Sequence, residues 1–136
     1  MTSYHHILVD AKTEYTKQLV DMLYPRIYEG IKSIYDRSIS NADKRGSKQY
    51  LKEFQTFLSD IPKWTKEVIN GEYKRIILKS DCDWLDELIT AVFVSHTKVL
   101  TSIKRTKENR TLELNVPNSE HFIHKCYIET ARQFWK

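Results

Sequence analysis

The sequence predicts an all-α protein: a single compact helical domain of about five to six helices around a central helix at 83–104, with one short extended segment at 111–117. Two observations exclude most alternatives. Three Gly and three Pro in 136 residues leave too few turn residues for an all-β fold. The stretch DWLDELITAVFVSHTKVLTSIK, from Asp83 to Lys104, keeps helical apolar spacing for about six turns. Trp84, Leu85, Leu88, Ile89, Val92, Val99, Leu100 and Ile103 share a face with His96, and Phe93 and Val94 widen it. A helix apolar over more than half its girth has to be covered from several sides, which makes it the predicted centre.

The opening MTSYHHILVD carries Ile7, Leu8 and Val9 as an apolar patch expected to dock on the core. Ala11, Tyr15, Leu19, Met22 and Leu23 give a first helix from about Asp10, its cap, to Tyr24. Pro25 lacks an N–H and disfavours α geometry at Tyr24, so the helix ends or kinks there. Ile27, Ile31, Ile34 and Tyr35 resume the period to about Ile39, and the sequence leaves open one kinked helix or two. Ser40 to Ser47 is polar, contains Gly46 and reads as a loop.

Ser47 is the expected cap of a third helix carrying Tyr50, Leu51, Phe54, Phe57, Leu58 and Ile61, which Pro62 terminates. Pro62 also opens a fourth, through Trp64, Val68, Ile69, Tyr73, Ile76 and Ile77. Gly71 is its weak point, a place to split the helix or admit a close neighbour. Asp83 is the expected cap of the central helix, with Asp86 at its third position. Leu112, Leu114 and Val116 then alternate with polar residues until Pro117 stops the pattern, giving an extended loop or an edge offered to another chain. Asn118 or Ser119 caps a last helix with Phe122, Ile123, Cys126, Tyr127, Ala131 and Phe134. No Gly, Asn or Pro stops it before Lys136, which predicts a docked end or the N-terminal part of a longer protein.

At this length a chain buries roughly two-thirds of its unfolded surface and needs no staples. Hydrophobic residues at 40% and charged residues at 29% are ordinary globular values. No basic-then-apolar leader is visible, and the longest apolar window, Leu88 to Val94, is far short of the ~20 residues of a membrane span. The expectation is a soluble protein in a reducing setting, with no membrane partner. The net charge of +4 is a mild excess that permits nucleic acid or an acidic partner.

His121 and His124 lie three apart on one helix, and imidazole with the Cys126 thiolate suits zinc. Cys126, two residues beyond His124, points nearly the opposite way, so the three share no ion unless the helix starts late. The plain reading is two histidines near a cap and a small buried thiol. His96 is a general-base candidate only if a carboxylate is brought to it; in an apolar stripe such a residue is more often bonded to backbone. Cys82 stands between Asp81 and Asp83, which disfavour its thiolate. With no phosphate-binding loop, HExxH, nucleophile elbow or EF-hand pattern, the sequence predicts neither catalysis nor a cofactor.

Two surfaces remain. Leu112, Leu114, Val116, Phe134 and Trp135 are the candidate protein interface, with Tyr4 and Tyr28 as further aromatic anchors. Lys104, Arg105, Lys107 and Arg110, with Lys98, form the candidate nucleic-acid contact, their plain reading being a complement to the helix dipole. Lys44, Arg45 and Lys48 mark a second basic loop.

The phrases CDWLDELITAVFVSHTKVLTSI, HFIHKCYIETARQFWK and MTSYHHILVDAKTEYTKQLVDMLYPRIYEGIKSIY resemble an uncharacterised family shared among nucleocytoplasmic large DNA viruses of algae, amoebae and other protists. The resemblance covers nearly the whole chain and carries no catalytic motif, so no functional residue transfers with it. It implies a virus-encoded protein of the virion or of the virus factory in the host cytoplasm. The expected role is a non-enzymatic interaction domain, such as a minor capsid or other virion component. Its partners would be other capsid or virion proteins, or a second copy of itself. The alternative is a nucleic-acid-binding accessory factor in viral transcription or genome packaging.

Overall fold

In the computed structural model the chain is an all-α bundle, described for residues 2–104 and 116–135. Its helices are α1 (Thr2–Lys44), α2 (Tyr50–Asp60), α3 (Lys66–Ser80), α4 (Leu85–Lys104) and α5 (Ser119–Trp135), with a 3-10 turn at Ile61–Lys63. No strand occurs among the described residues. Of the expected extended segment, residues 111–115 lie outside those described, and Val116 and Pro117 are irregular.

The two helices expected on either side of Pro25 are one continuous helix of 43 residues. Proline removes the N–H that would reach the Asp21 carbonyl, which sits on an exposed turn where water can serve it. Leu19, Leu23, Ile27, Ile31, Ile34, Ser38 and Ala42 are all buried along one stripe, so packing on both sides of Pro25 outweighs the lost bond. That stripe also carries the helix into the expected loop as far as Lys44. There Gly46 (φ 66) closes it: Ser47 N–H donates to Ala42 O at 2.8 Å and Gly46 N–H to Asp43 O at 3.0 Å, the doubly bonded left-handed stop that favours glycine.

The hub is α1 rather than the helix at 83–104. α2, α3, α4 and α5 all pack on α1, whereas α4 packs mainly on α1 and only lightly on α5. Leu85, Leu88, Ile89, Ser95 and Val99 of α4 are buried, but Trp84, Leu100, Ile103 and His96 are exposed. The wide apolar band on α4 is thus only partly covered.

Three local expectations change. Ser47 does not cap α2; it stands two residues before the cap position, where its Oγ accepts from Gln49 N–H at 3.1 Å, and Gln49 occupies that position without a side-chain bond. Pro62 sits in the 3-10 turn, and α3 is capped instead by Thr65, whose Oγ1 accepts from Val68 N–H at 3.3 Å. Gly71 neither splits α3 nor admits a neighbour, since nothing lies within 4 Å of the Cβ it lacks. α3 ends at Asp81 in the left-handed conformation (φ 53), tolerated by aspartate, with buried Cys82 immediately after.

Candidate protein-interaction groove

Asn118 starts α5, its Oδ1 accepting from Glu120 N–H at 2.9 Å and His121 N–H at 3.4 Å. Ile123, Tyr127 and Ala131, four residues apart, bury one face of the helix. Tyr127 crosses α1 at Gly30, where a Cβ would lie 2.1 Å from the phenol oxygen. Only glycine allows this approach.

A part-buried polar network fixes the crossing. Tyr127 Oη donates to Glu72 Oε2 (3.0 Å) and accepts from Arg75 Nη2 (3.1 Å). Arg75 also reaches Glu72 Oε2 through Nε (2.8 Å), Glu29 Oε2 (3.2 Å) and the Arg26 carbonyl (2.8 Å). Burial disfavours the Arg75 cation, but the hydrogen bond and charge of Glu72 outweigh it and raise its pKa. Burial first, then the Glu72 charge, pushes the Tyr127 hydroxyl well above its ordinary value. The network is therefore a neutral phenol clamped between an ion pair, which ties α1, α3 and α5 together.

The clamp sets the distance between α1 and the outer edge of α5, where two ladders with i, i+4 spacing face one another. Val20, Tyr24 and Tyr28 stand on α1, and Phe122, Cys126, Thr130 and Phe134 on α5. Between them, floored by Leu19, Leu23 and Ile27, runs a mostly apolar groove of about 440 Å³. Tyr24 is 71% exposed and Phe134 54%, although both are large aromatic groups. A second depression of about 580 Å³, lined by Phe93, Val116, Pro117 and Lys125, adjoins it through Phe122, Cys126 and Glu129. Phe93 and Phe122 meet edge to face at 5.7 Å where the two join.

Two of the residues expected at an interface, Val116 and Phe134, thus line adjoining depressions on one face. Trp135 stands on the other side of α5, in a hollow with Leu58 and Pro62, and its Nε1 donates to Ser59 Oγ at 3.1 Å. Leu112 and Leu114 lie outside the described residues. So do Arg105, Lys107 and Arg110; Lys104 is the last residue of α4. Tyr28 lines the groove, and Tyr4 is exposed at the far end of α1. The sequence reading missed Val20 and Tyr24. Their signal was a second ladder, 20/24/28, one residue out of step with the buried 19/23/27.

The residues weighed for zinc go three ways. His124 is buried, stacked on Trp64 at 5.9 Å, its Nε2 donating to the Ile61 carbonyl at 2.7 Å. His121 is exposed, and Cys126 lies in the groove, where burial pushes its thiol up to about 11. Among the described residues no group of three or more His, Cys, Asp or Glu side chains is placed to hold a metal. His96 is exposed on α4 rather than set in the core. The Cys82 thiol is raised by burial first and by Asp83, Glu87 and Asp81 after it. Neither thiol has the lowered pKa of a nucleophile. No described helix is long and apolar enough to cross a membrane.

What these helices build is therefore a recess for apolar side chains, edged by phenol hydroxyls and charges. The family model for a family of unknown function, DUF5764, matches residues 5–136. The chain belongs to that family. The DUF5764 match takes in every residue of the groove, the Arg75 network and both candidate surfaces. No curated protein and no solved structure matches the chain.

Proposed function

We propose that this DUF5764 chain is a non-enzymatic protein-interaction domain that seats an amphipathic segment of a partner protein in the groove between α1 and α5. The observation that carries the reading is the pair of facing ladders with Tyr24 and Phe134 largely exposed at an apolar recess. A ridge with side chains at i, i+4 spacing fits such a recess, as helix-in-groove recognition requires. Aromatic anchors at an apolar site are the residue types that dominate binding energy. The sequence resemblance to proteins of large DNA viruses supports a minor capsid or other virion component, working in the virion or the virus factory with capsid or virion proteins as partners.

The test compares the chain with a Tyr24→Glu, Phe134→Glu variant as bait in infected-cell lysate, at low and high salt, with and without nuclease. Retention of identified capsid or virion proteins by the wild type alone, despite salt and nuclease, supports the reading. Equal capture by both baits, or capture of no virion protein, overturns it. If what is captured leaves with nuclease or salt, the chain is the nucleic-acid-binding factor instead. The basic run Lys104, Arg105, Lys107 and Arg110 then becomes the site to map.

A further inference from the structure

α1 changes partners at Pro25. Beyond it, Arg75 of α3 holds the Arg26 carbonyl (2.8 Å) and Glu29 (3.2 Å), Gly30 meets Tyr127 of α5, and Tyr35 meets Phe54 of α2 edge to face at 5.3 Å. Before it, α1 is paired with α4. His5 Nδ1 and Ser102 Oγ lie 2.8 Å apart at one end, and Leu85 and Leu88 join Leu19 and Leu23 in the core at the other, so the two helices run antiparallel. With equal rise per residue, Leu85 falls opposite about residue 22. Pro25 and the turn from Asp81 to Trp84 that leads into α4 therefore stand at one level of the bundle. Tyr73 of α3 pins α4 there, its hydroxyl donating to Asp86 Oδ1 at 2.7 Å.

Away from that level the pair is supported mainly by itself. No residue from Tyr4 to Gln18 is buried, and the common core takes Leu85, Leu88 and Ile89 from α4 but not the buried Val99. Among the described residues α4 packs mainly on α1 and only lightly on α5, where Phe93 meets Phe122 at 5.7 Å.

We propose that residues 2–24 of α1 and the whole of α4 form an arm that pivots as one body on Pro25 and the Asp81–Trp84 turn, making and breaking the Phe93–Phe122 contact with α5. Pro25 lacks the N–H that would tie its turn to Asp21, so α1 bends there at the loss of fewer hydrogen bonds than elsewhere along its length. A turn at an element's end is the other place where hinged proteins absorb backbone rotation. Phe93 falls opposite about residue 14, about 16 Å from Pro25, so a bend of about 10° moves it about 3 Å. That carries the two rings beyond the roughly 7 Å at which aromatic pairs interact. The two depressions join at this contact, so the arm sets how far the apolar recess extends. The motion belongs to the free chain and does not depend on the groove having a partner.

The test reads distances across and within the two bodies by pulsed electron–electron resonance, with spin labels on cysteines placed at exposed positions of the whole chain. Cys126 is replaced by serine, Cys82 is kept because it is buried, and far-UV circular dichroism confirms helicity. Lys98→Cys with Gln55→Cys spans the hinge, Lys17→Cys with Lys98→Cys lies within the arm, and Gln55→Cys with Lys74→Cys lies within the remaining body. The spanning pair is expected to give a distance distribution about twice as broad as either internal pair, as a hinged body does. Pro25→Ala is expected to narrow it to the internal width, and Phe93→Ala to broaden it further. A spanning distribution as narrow as the internal ones overturns the proposal, as does a broad one that Pro25→Ala leaves unchanged. An equally broad distribution within the arm also overturns it, because the two helices would then be parting rather than moving together. No broadening with Phe93→Ala overturns the role given to the Phe93–Phe122 contact.

Discussion

Gly30 and Tyr127 are in direct contact: the Cβ that Gly30 lacks would stand 2.1 Å from Tyr127 Oη and 2.8 Å from Cε1. Gly30→Ala brings about 1 kcal/mol of helix propensity, yet it forces apart α1 and α5 at a ring held by Glu72 and Arg75. Overpacking of this kind costs about 1–3 kcal/mol, so net destabilisation is expected in urea unfolding. Removing the closest atom by Tyr127→Phe in the same chain should recover part of the loss, since the ring carbons remain. A Gly30→Ala variant as stable as the wild type would mean the ring moves freely and the clamp is weak.

Pro25 acts in the opposite direction. It interrupts the bonding of α1 at a position where the backbone is already helical. Pro25→Ala should therefore stabilise the protein by about 1 kcal/mol or more, the gain being reduced by the greater freedom of the unfolded chain. The check is a rise in the thermal midpoint.

The groove and the core should respond differently to truncation. Tyr24→Ser and Phe134→Ser remove exposed rings and are expected to shift stability by no more than about 0.5 kcal/mol. Ile27→Ala, beneath them and buried, should cost about 2–5 kcal/mol. Equal losses in urea unfolding would show that the exposed ladder is structural and is not held ready for a partner.

Alkaline pH should destabilise the fold. Burial raises the Cys126 thiol to about 11, and burial with the 2.7 Å bond to Asp86 raises Tyr73 to about 12. Both folded values lie above the unfolded ones near 9 and 10, so the unfolded state releases its protons first. Their contribution is complete below about pH 9 and is lost progressively as pH rises toward 11 and 12. Denaturant midpoints measured across that window should fall. The raised pKa also lowers the Cys126 thiolate fraction near neutrality, so disulfide-reagent labelling should be slower than for a free thiol. Labelling as fast as a free thiol would show that the Cys126 thiol is not desolvated.

The helices themselves were legible in the sequence, because apolar spacing and capping chemistry are local. Asn118 and the stripe Leu19, Leu23, Ile27 can be read one turn at a time. Three things were decided only by tertiary packing. Pro25 remains helical because buried residues on either side outweigh one lost bond, and no local rule weighs those terms. The hub is α1 because its stripe extends from Leu19 to Ala42, longer than any partner can cover, whereas the broader band on α4 is left partly open. The groove exists because α5 settles on α1 at Gly30, at a distance set by Tyr127, Glu72 and Arg75. Those residues are far apart in the chain and close in space. A periodic pattern identifies which side chains can be buried, but only the packing of one helix on another determines which of them are.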